Sequence, residues 1–496
     1  MRSTHTRAVL CSLLLYTAAC TVGGLAYKLQ EDGPVVQTQY GQVKGMYVEE
    51  GAIFFGLPFA APPIGNLRWK PPVPFDTPWT PGTYDGTIPR PGCLQPGCNP
   101  NHPEDPRHKC PRGLKISEDC LYLNVFAPRT ALNATARLPV MFWLYGGEYY
   151  SGSGSAVLYD GRFLANKTDT IVVTTNYRMG APRFLVAGDG EDAAKGNYGI
   201  LDQMAALKWT SELFQSGIMM SVPFGIPFRE HWEAVSLGNH FAQLLNCSHG
   251  DMTCLRSASS KQILKAQRLS HRQFCEGTLA KKAVHYGHCH GRSPSLHLRQ
   301  LGNADVQGCV LGIFREKALS VLREYPPASS ADQRDNLAVA ATDFLLTCPT
   351  RNAIRGAAAS GNSDVWLYVF DHVWSFQGIW KGEDSCEGHC CHGEDLPFTF
   401  QIESLVGQNM TAEELVMADS IARHYGNFAH TGDPNKPGRG AHVPGPAGSG
   451  GDAVNWPRYN EEGGFTNLRI STPKNELVQE YRKDRCDFWD RLNDYP

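Results

Sequence analysis

The chain has no surplus of positive charge: 46 Lys and Arg stand against 49 Asp and Glu, for a formal net charge of −3. The basic residues are interspersed among the acids, so no basic face is available to a phosphate backbone and nucleic-acid binding is excluded. No Ser/Gly linker, charge block or repeat divides the 496 residues, so the chain reads as one unit although its length would suggest several domains. No glycine loop with a following lysine marks a phosphate site, and no His, Cys or carboxylate set has zinc spacing, so no cofactor and no metal are expected. No apolar run closes the sequence, and neither a terminal membrane helix nor a lipid-anchor signal is expected there. The most consequential absence concerns serine. A nucleophilic serine on a strained strand-to-helix turn needs glycines two residues before and two after it, because side chains there would crowd the backbone. No serine has both; Ser293 has Gly291 before it but Ser295 after it, and no apolar strand precedes it.

What is present points to an exported protein. Arg2 and Arg7 precede an apolar run from Ala8 to Ala19, broken only by Ser12 and Thr17, and small residues follow at Ala18, Ala19 and Gly24. The run is too short to span a bilayer, so residues 1–26 are expected to be a signal peptide, 27–496 the mature domain, and the product secreted and extracellular. Sixteen cysteines fit an oxidising compartment better than a cytosolic one, although spacing alone does not assign the pairs. The clusters His285 to His290 and Cys386 to His392 have the residue types of a metal site, but the exported context favours disulfides. Asn133, Asn166, Asn246 and Asn409 each open an Asn-x-Ser/Thr tripeptide and are candidate glycosylation sites.

Periodicity gives the fold class. From Val35 to Phe59 short alternating runs broken by proline read as antiparallel strands. Leu138 to Tyr145, Thr170 to Tyr177 and Val365 to Phe370 read as buried strands, and Leu415 to Phe428 carries apolar residues at helical spacing. Strands alternating with helices imply an α/β architecture, a central mostly parallel sheet with helices on both faces. Residues 256–310, with five histidines and weak periodicity, are assigned to no element.

The stretch Ser117-Glu118-Asp119-Cys120-Leu121-Tyr122-Leu123-Asn124-Val125-Phe126-Ala127-Pro128 resembles the second signature of the type-B carboxylesterase and cholinesterase family. The resemblance continues through Asn176-Tyr177-Arg178, Gly196-Asn197-Tyr198-Gly199, Leu201-Asp202-Gln203, His392-Gly393-Glu394-Asp395-Leu396-Pro397 and Cys486-Asp487-Phe488-Trp489, from about Gly41 to Trp489. It implies the α/β-hydrolase fold, serine-dependent hydrolysis of carboxylic esters, and disulfides Cys93–Cys120, Cys247–Cys254 and Cys348–Cys486. Cys98–Cys110 and Cys386–Cys391 are reasonable further pairs.

The resemblance also says where each catalytic part belongs. Gly146, Gly147 and Glu148 stand at the oxyanion loop, where the family has a third glycine in place of Glu148. That carboxylate would repel a developing oxyanion, and one lost donor costs on the order of a hundredfold in rate. Ser151 to Ser155 continue the pattern as a flexible loop. His392 stands at the family's base position. The triad acid has no recognisable context; Asp305 and Glu316 are carboxylates in the approximate region and read as surface residues. Between Trp209 and Phe214-Gln215-Ser216-Gly217, which looks like the family's return from helix to strand, only Thr210, Ser211, Glu212 and Leu213 intervene. The family places its nucleophile serine, a central strand and a helix there.

No nucleophile is therefore assigned, and the chain in this form is expected to be an inactive relative, either a divergent pseudoenzyme or the spliced product of a gene whose full form is active. The clean break favours the second. A carboxylic ester is the expected partner of an active form; no Trp lies between Cys93 and Cys120 to hold a choline group. The alternative is a binding or adhesion protein on the same scaffold, with a protein partner.

Overall fold

The computed structural model describes residues 33–79, 81–95, 115–132, 137–210, 214–225, 230–276, 307, 310, 314–327, 333–362, 364–379, 386, 388–438 and 454–492. The signal-peptide expectation, Asn133, Cys98, Cys110, Ser293, Asp305 and the 211–213 junction lie outside the described residues, as does the His285 to His290 cluster.

The main sheet has five strands: β1 (Met46–Val48), β2 (Gly51–Pro58), β3 (Tyr122–Pro128), β4 (Val140–Trp143) and β5 (Ile171–Thr175), in the order β1-β2-β3-β5-β4. Every residue of β2 is buried, which explains a run of apolar residues without alternation. Pairing is antiparallel from β1 to β5, and only β5 and β4 run parallel. A second sheet joins β6 (Tyr368–Phe370) parallel to β7 (Thr466–Ile470), which pairs antiparallel with β8 (Glu476–Gln479). The sheet system is thus mixed rather than mostly parallel. The reason lies in the chain order: among the described residues between Lys195 and Tyr368 there are helices and no strand, so nothing joins β4 to β6. Leu138 to Tyr145 accordingly yields a strand at an edge, with Val140 exposed and its neighbours half-buried, where the sequence suggests full burial.

Helix α1 (Arg162–Thr168) packs against the sheet so closely that a Cβ on Gly161 would meet Val172 and Phe126 within 3 Å. Helix α2 (Tyr198–Thr210) brings Ala206 and Trp209 into the same core, where Trp209 stacks on Tyr40. Helices α3 (His231–Leu244) and α4 (Ser260–Glu276) form a satellite cluster around Phe241, Leu255 and Ile263. Helix α5 (Cys348–Ala359) carries the cysteine that reaches the C-terminal helix. The short α6 (Asp395–Phe400) follows His392, α7 (Ala412–Thr431) packs on α1 and α6, and α8 (Lys483–Leu492) ends the described chain. No helix of the described residues is long and apolar enough to cross a membrane.

Disulfides close Cys93–Cys120, Cys247–Cys254, Cys348–Cys486 and Cys386–Cys391. The third spans 138 residues and ties α8 to α5; closing a loop of that length removes about 5 kcal/mol of unfolded-state entropy in the chain-entropy model. Two buried ion pairs account for motif residues. Arg178 meets Asp202 through Nε at 2.8 Å and Nη2 at 2.7 Å, and Arg68 meets Glu118 through Nε at 2.6 Å and Nη2 at 2.8 Å. Each joins residues distant in sequence, and truncating one partner would strand a buried charge.

Candidate functional site

The glycine-rich turn leaves β4 at Tyr145, whose buried ring stacks on Tyr177 with centroids 4.4 Å apart, while the Tyr177 hydroxyl donates to the Tyr145 carbonyl. Gly147 has φ 128°, and a Cβ there would stand 2.0 Å from the Ser151 carbonyl, so only glycine fits. The next two residues, Glu148 and Tyr149, hold φ 55° and 57°. Left-handed backbone at two successive non-glycine residues is strained, of the kind that surrounding structure has to over-determine. Two contacts do so: Gly180 N–H donates to the Tyr149 carbonyl at 2.9 Å, and the Arg183 guanidinium lies 3.4 Å from the Tyr149 ring centroid. Burial pushes Arg183 down to about 8. Around Gly146, by contrast, an added Cβ would meet nothing within 4 Å.

The loop after the turn departs from the flexible character its Ser/Gly sequence suggests. Gly152, Ser153 and Gly154 are buried. The Gln95 side-chain amide bonds both backbone groups of Gly152 at 2.8 Å, Asn176 Oδ1 accepts from the Gly154 N–H at 2.9 Å, and Asn124 Nδ2 donates to the Gly154 carbonyl at 3.1 Å. The small residues are there because the loop backbone passes against β5: a Cβ on Gly154 would meet Thr175 at 2.8 Å.

His392 is exposed in a turn set by Gly393 at φ 93°, directly after the Cys386–Cys391 disulfide. Behind it, Glu394 is fully buried, and burial pushes the Asp395 carboxyl up to about 6 against the lowering effect of the backbone N–H groups of Asp395 and Leu396. Helix α6 carries Phe400 onto Trp143 of β4, centroids 5.1 Å apart, and onto Tyr159. The histidine turn and the glycine turn are therefore borne by elements that pack on one another. Among the described residues neither meets a strand-to-helix turn bearing serine. After α2 the described chain continues as irregular Phe214–Gly225, and Glu316 is exposed on a short helical turn. The sequon residues Asn166, Asn246 and Asn409 are exposed.

One constellation of serine, carboxylate and histidine does exist, and the motif reading missed it. Glu414 is buried and accepts from Ser375 Oγ at 2.6 Å, Ser375 N–H at 2.8 Å and Thr411 N–H at 2.8 Å, with His372 Nε2 at 2.9 Å. Burial alone would raise this carboxyl, but those hydrogen bonds outweigh it and hold Glu414 at about 2. The order of parts is wrong for nucleophilic catalysis. The carboxylate lies between serine and imidazole, so the imidazole is bonded to the carboxylate and not to the serine oxygen. The same Glu414 forms the capping box of α7 with Thr411, so the cluster anchors that helix start to the loop after β6. Thr411-x-x-Glu414 was the available sequence signal.

With this geometry established, the comparisons place the chain. The family model of the carboxylesterase family matches residues 32–212 and 312–489, and the chain belongs to that family. The match stops at Glu212 and does not include Phe214 to Gly217.

Among curated relatives, the chain is 29% identical over 484 residues to the cAMP-regulated D2 protein of Dictyostelium discoideum, covering 83% of this chain and 86% of that protein. It is 29% identical over 503 residues to the para-nitrobenzyl esterase of Bacillus subtilis (86% and 93%) and 26% identical over 578 residues to carboxylesterase 4A of Bos taurus (98% and 99%). The last alignment is longer than the chain itself, so that relative carries residues opposite which this chain has none. A solved thermophilic PNB esterase superposes with a TM-score of 0.70 at 24% identity over 92% of this chain and 99% of that one, which establishes the α/β-hydrolase fold.

Proposed function

We propose that this chain is a secreted member of the carboxylesterase family whose parent reaction is serine-dependent hydrolysis of carboxylic esters and which does not itself hydrolyse them. The observation that carries the reading is the run from Lys195 to Tyr368, where the described residues hold no strand and hence no turn on which a nucleophile could stand. Glu148 supports it, since its carboxylate adjoins the turn that would have to stabilise an oxyanion. The test is rapid mixing of the purified chain with p-nitrophenyl acetate and with a p-nitrobenzyl ester, the class named for the Bacillus relative. No burst of nitrophenol, no covalent labelling by a serine-directed organophosphate and no change on His392→Ala are expected. A burst abolished by the organophosphate would refute the reading.

A second role, binding or adhesion on the retained scaffold, is favoured by one observation: large apolar side chains are exposed in the irregular segment after α2, with Phe214 at 69% and Met219 at 61% exposure.

A further inference from the structure

Beneath the glycine-rich turn lies a cation whose hydrogen-bonding capacity is unused. Arg183 is 3% exposed, and its Nε and Nη1 have no hydrogen-bond partner among the described residues. Buried polar groups are ordinarily hydrogen-bonded and buried charges ordinarily paired. Asp202, whose charge reaches Arg183, gives both of its carboxylate oxygens to Arg178. Rings stand where an acceptor would be expected: the guanidinium carbon lies 3.4 Å from the centroid of Tyr149 and 2.9 Å from that of Phe184. A ring attracts a cation but offers no oxygen to its N–H groups. The chain nevertheless keeps room for this side chain, because a Cβ on Gly199 of α2 would stand 2.2 Å from Arg183 Cδ.

A second surplus donor adjoins the same helical turn, Ala181–Phe184. Gln267 is 5% exposed and accepts from the Ala181 N–H through Oε1 at 3.0 Å. Its Nε2, the atom that a Cβ on Gly180 would meet first, has no partner among the described residues. Both unused groups are donors, and what donors with a positive charge among them take is an anion. The cover over Arg183 is placed to open. Tyr149 is 40% exposed, so its ring can turn into solvent without emptying a buried position, and its φ of 57° is a strained backbone that holding the ring in place does not relieve. Three residues earlier, Gly146 is exposed, and a Cβ there would meet nothing within 4 Å.

We propose that Tyr149 is a lid over an anion site, and that Arg183 beneath it binds the carboxylate of a small organic acid whose apolar body packs on the Tyr149 and Phe184 rings. A guanidinium is the cation that matches a planar carboxylate, and the rings suit an apolar body better than a bare inorganic ion. Glu148, exposed one residue before the lid, opposes such a ligand, so Glu148→Gln tightens its binding. The acid half of a carboxylic ester has this chemistry, but the inference does not depend on whether the chain hydrolyses esters.

The experiment is calorimetric titration of the purified full chain with sodium benzoate, with benzyl alcohol as the uncharged counterpart and sodium chloride as the inorganic anion. Wild type is expected to bind benzoate and neither control. Arg183→Met should weaken benzoate at least tenfold while melting no lower than wild type, because it removes a buried charge that has no partner. A readout independent of that variant's folding is modification by phenylglyoxal with peptide mapping. Tyr149→Gly removes the lid and suits the positive φ, so Arg183 should be modified faster in it than in wild type, and benzoate should protect it. Benzoate bound equally well by wild type and Arg183→Met would overturn the proposal. So would wild type that binds no benzoate, chloride that displaces benzoate at equal concentration, or modification of Arg183 that benzoate leaves unchanged.

Discussion

Replacing Glu414 with glutamine tests the assignment of the Ser375–Glu414–His372 cluster as an anchor for α7. Each carboxylate oxygen takes two hydrogen bonds: Oε2 from Ser375 Oγ and Thr411 N–H, Oε1 from Ser375 N–H and His372. Glutamine keeps one such oxygen and sets an amide donor against the partners of the other. One backbone N–H then loses its acceptor, and the bonds that remain are no longer charge-assisted. At about 1.5–3 kcal/mol for each charged hydrogen bond, the loss is about 3 to 5 kcal/mol. The same bonds expressed as a pKa shift give a figure of similar size. The carboxyl is held at about 2 against its usual 4.5, and at about 1.4 kcal/mol per pKa unit this corresponds to about 3 kcal/mol. Because the folded value is depressed, that stability is present above pH 4.5 and is lost as the pH falls through about 2. Urea unfolding followed by tryptophan fluorescence should show Glu414→Gln less stable at pH 7 by about 3 kcal/mol, with the gap narrowing toward pH 3. A gap below about 0.5 kcal/mol, or one independent of pH, would refute the assignment.

Three further outcomes follow from the same structure. His424 is buried, with Nδ1 on the Pro434 carbonyl at 3.0 Å, and burial pushes its imidazole down to about 4 from 6.5. Its contribution is present above pH 6.5 and lost as the pH falls through about 4, by about 3 kcal/mol. The stability difference between wild type and His424→Phe should vary with pH across that window, and identical slopes would contradict it. Arg178→Met should cost about 3 to 5 kcal/mol in chemical denaturation, because it leaves the fully buried Asp202 without a counter-charge; a loss under about 1 kcal/mol would contradict the burial argument. Glu148→Gly should raise stability by about 0.5 to 1 kcal/mol in a thermal melt, since relief of the φ 55° backbone exceeds the added unfolded-state entropy; a clear fall in melting temperature would show that the turn is unstrained.

The sequence alone determined the fold family, because its motif residues are those that packing and pairing restrict most tightly. Arg178 and Asp202, twenty-four residues apart, bond to each other in the core, and Gly147 admits no side chain. One further pattern is local: a nucleophile elbow sets glycines two residues either side of a serine, and no serine of this sequence has both. How the strands are arranged in the sheet was decided only in three dimensions. Leu138 to Tyr145 has the composition of a buried strand, and whether such a strand lies inside a sheet or at its edge depends on a neighbour that no local pattern records. The Ser151 to Ser155 loop looks flexible by composition, yet its centre is buried and hydrogen-bonded because Gln95, Asn124 and Asn176, each from a different part of the chain, converge on its backbone. Glu414 reads as one more capping glutamate until tertiary contact brings His372 and Ser375 to it. Long-range packing sets these outcomes, and one-dimensional spacing carries it only where a motif requires a particular residue at a particular place.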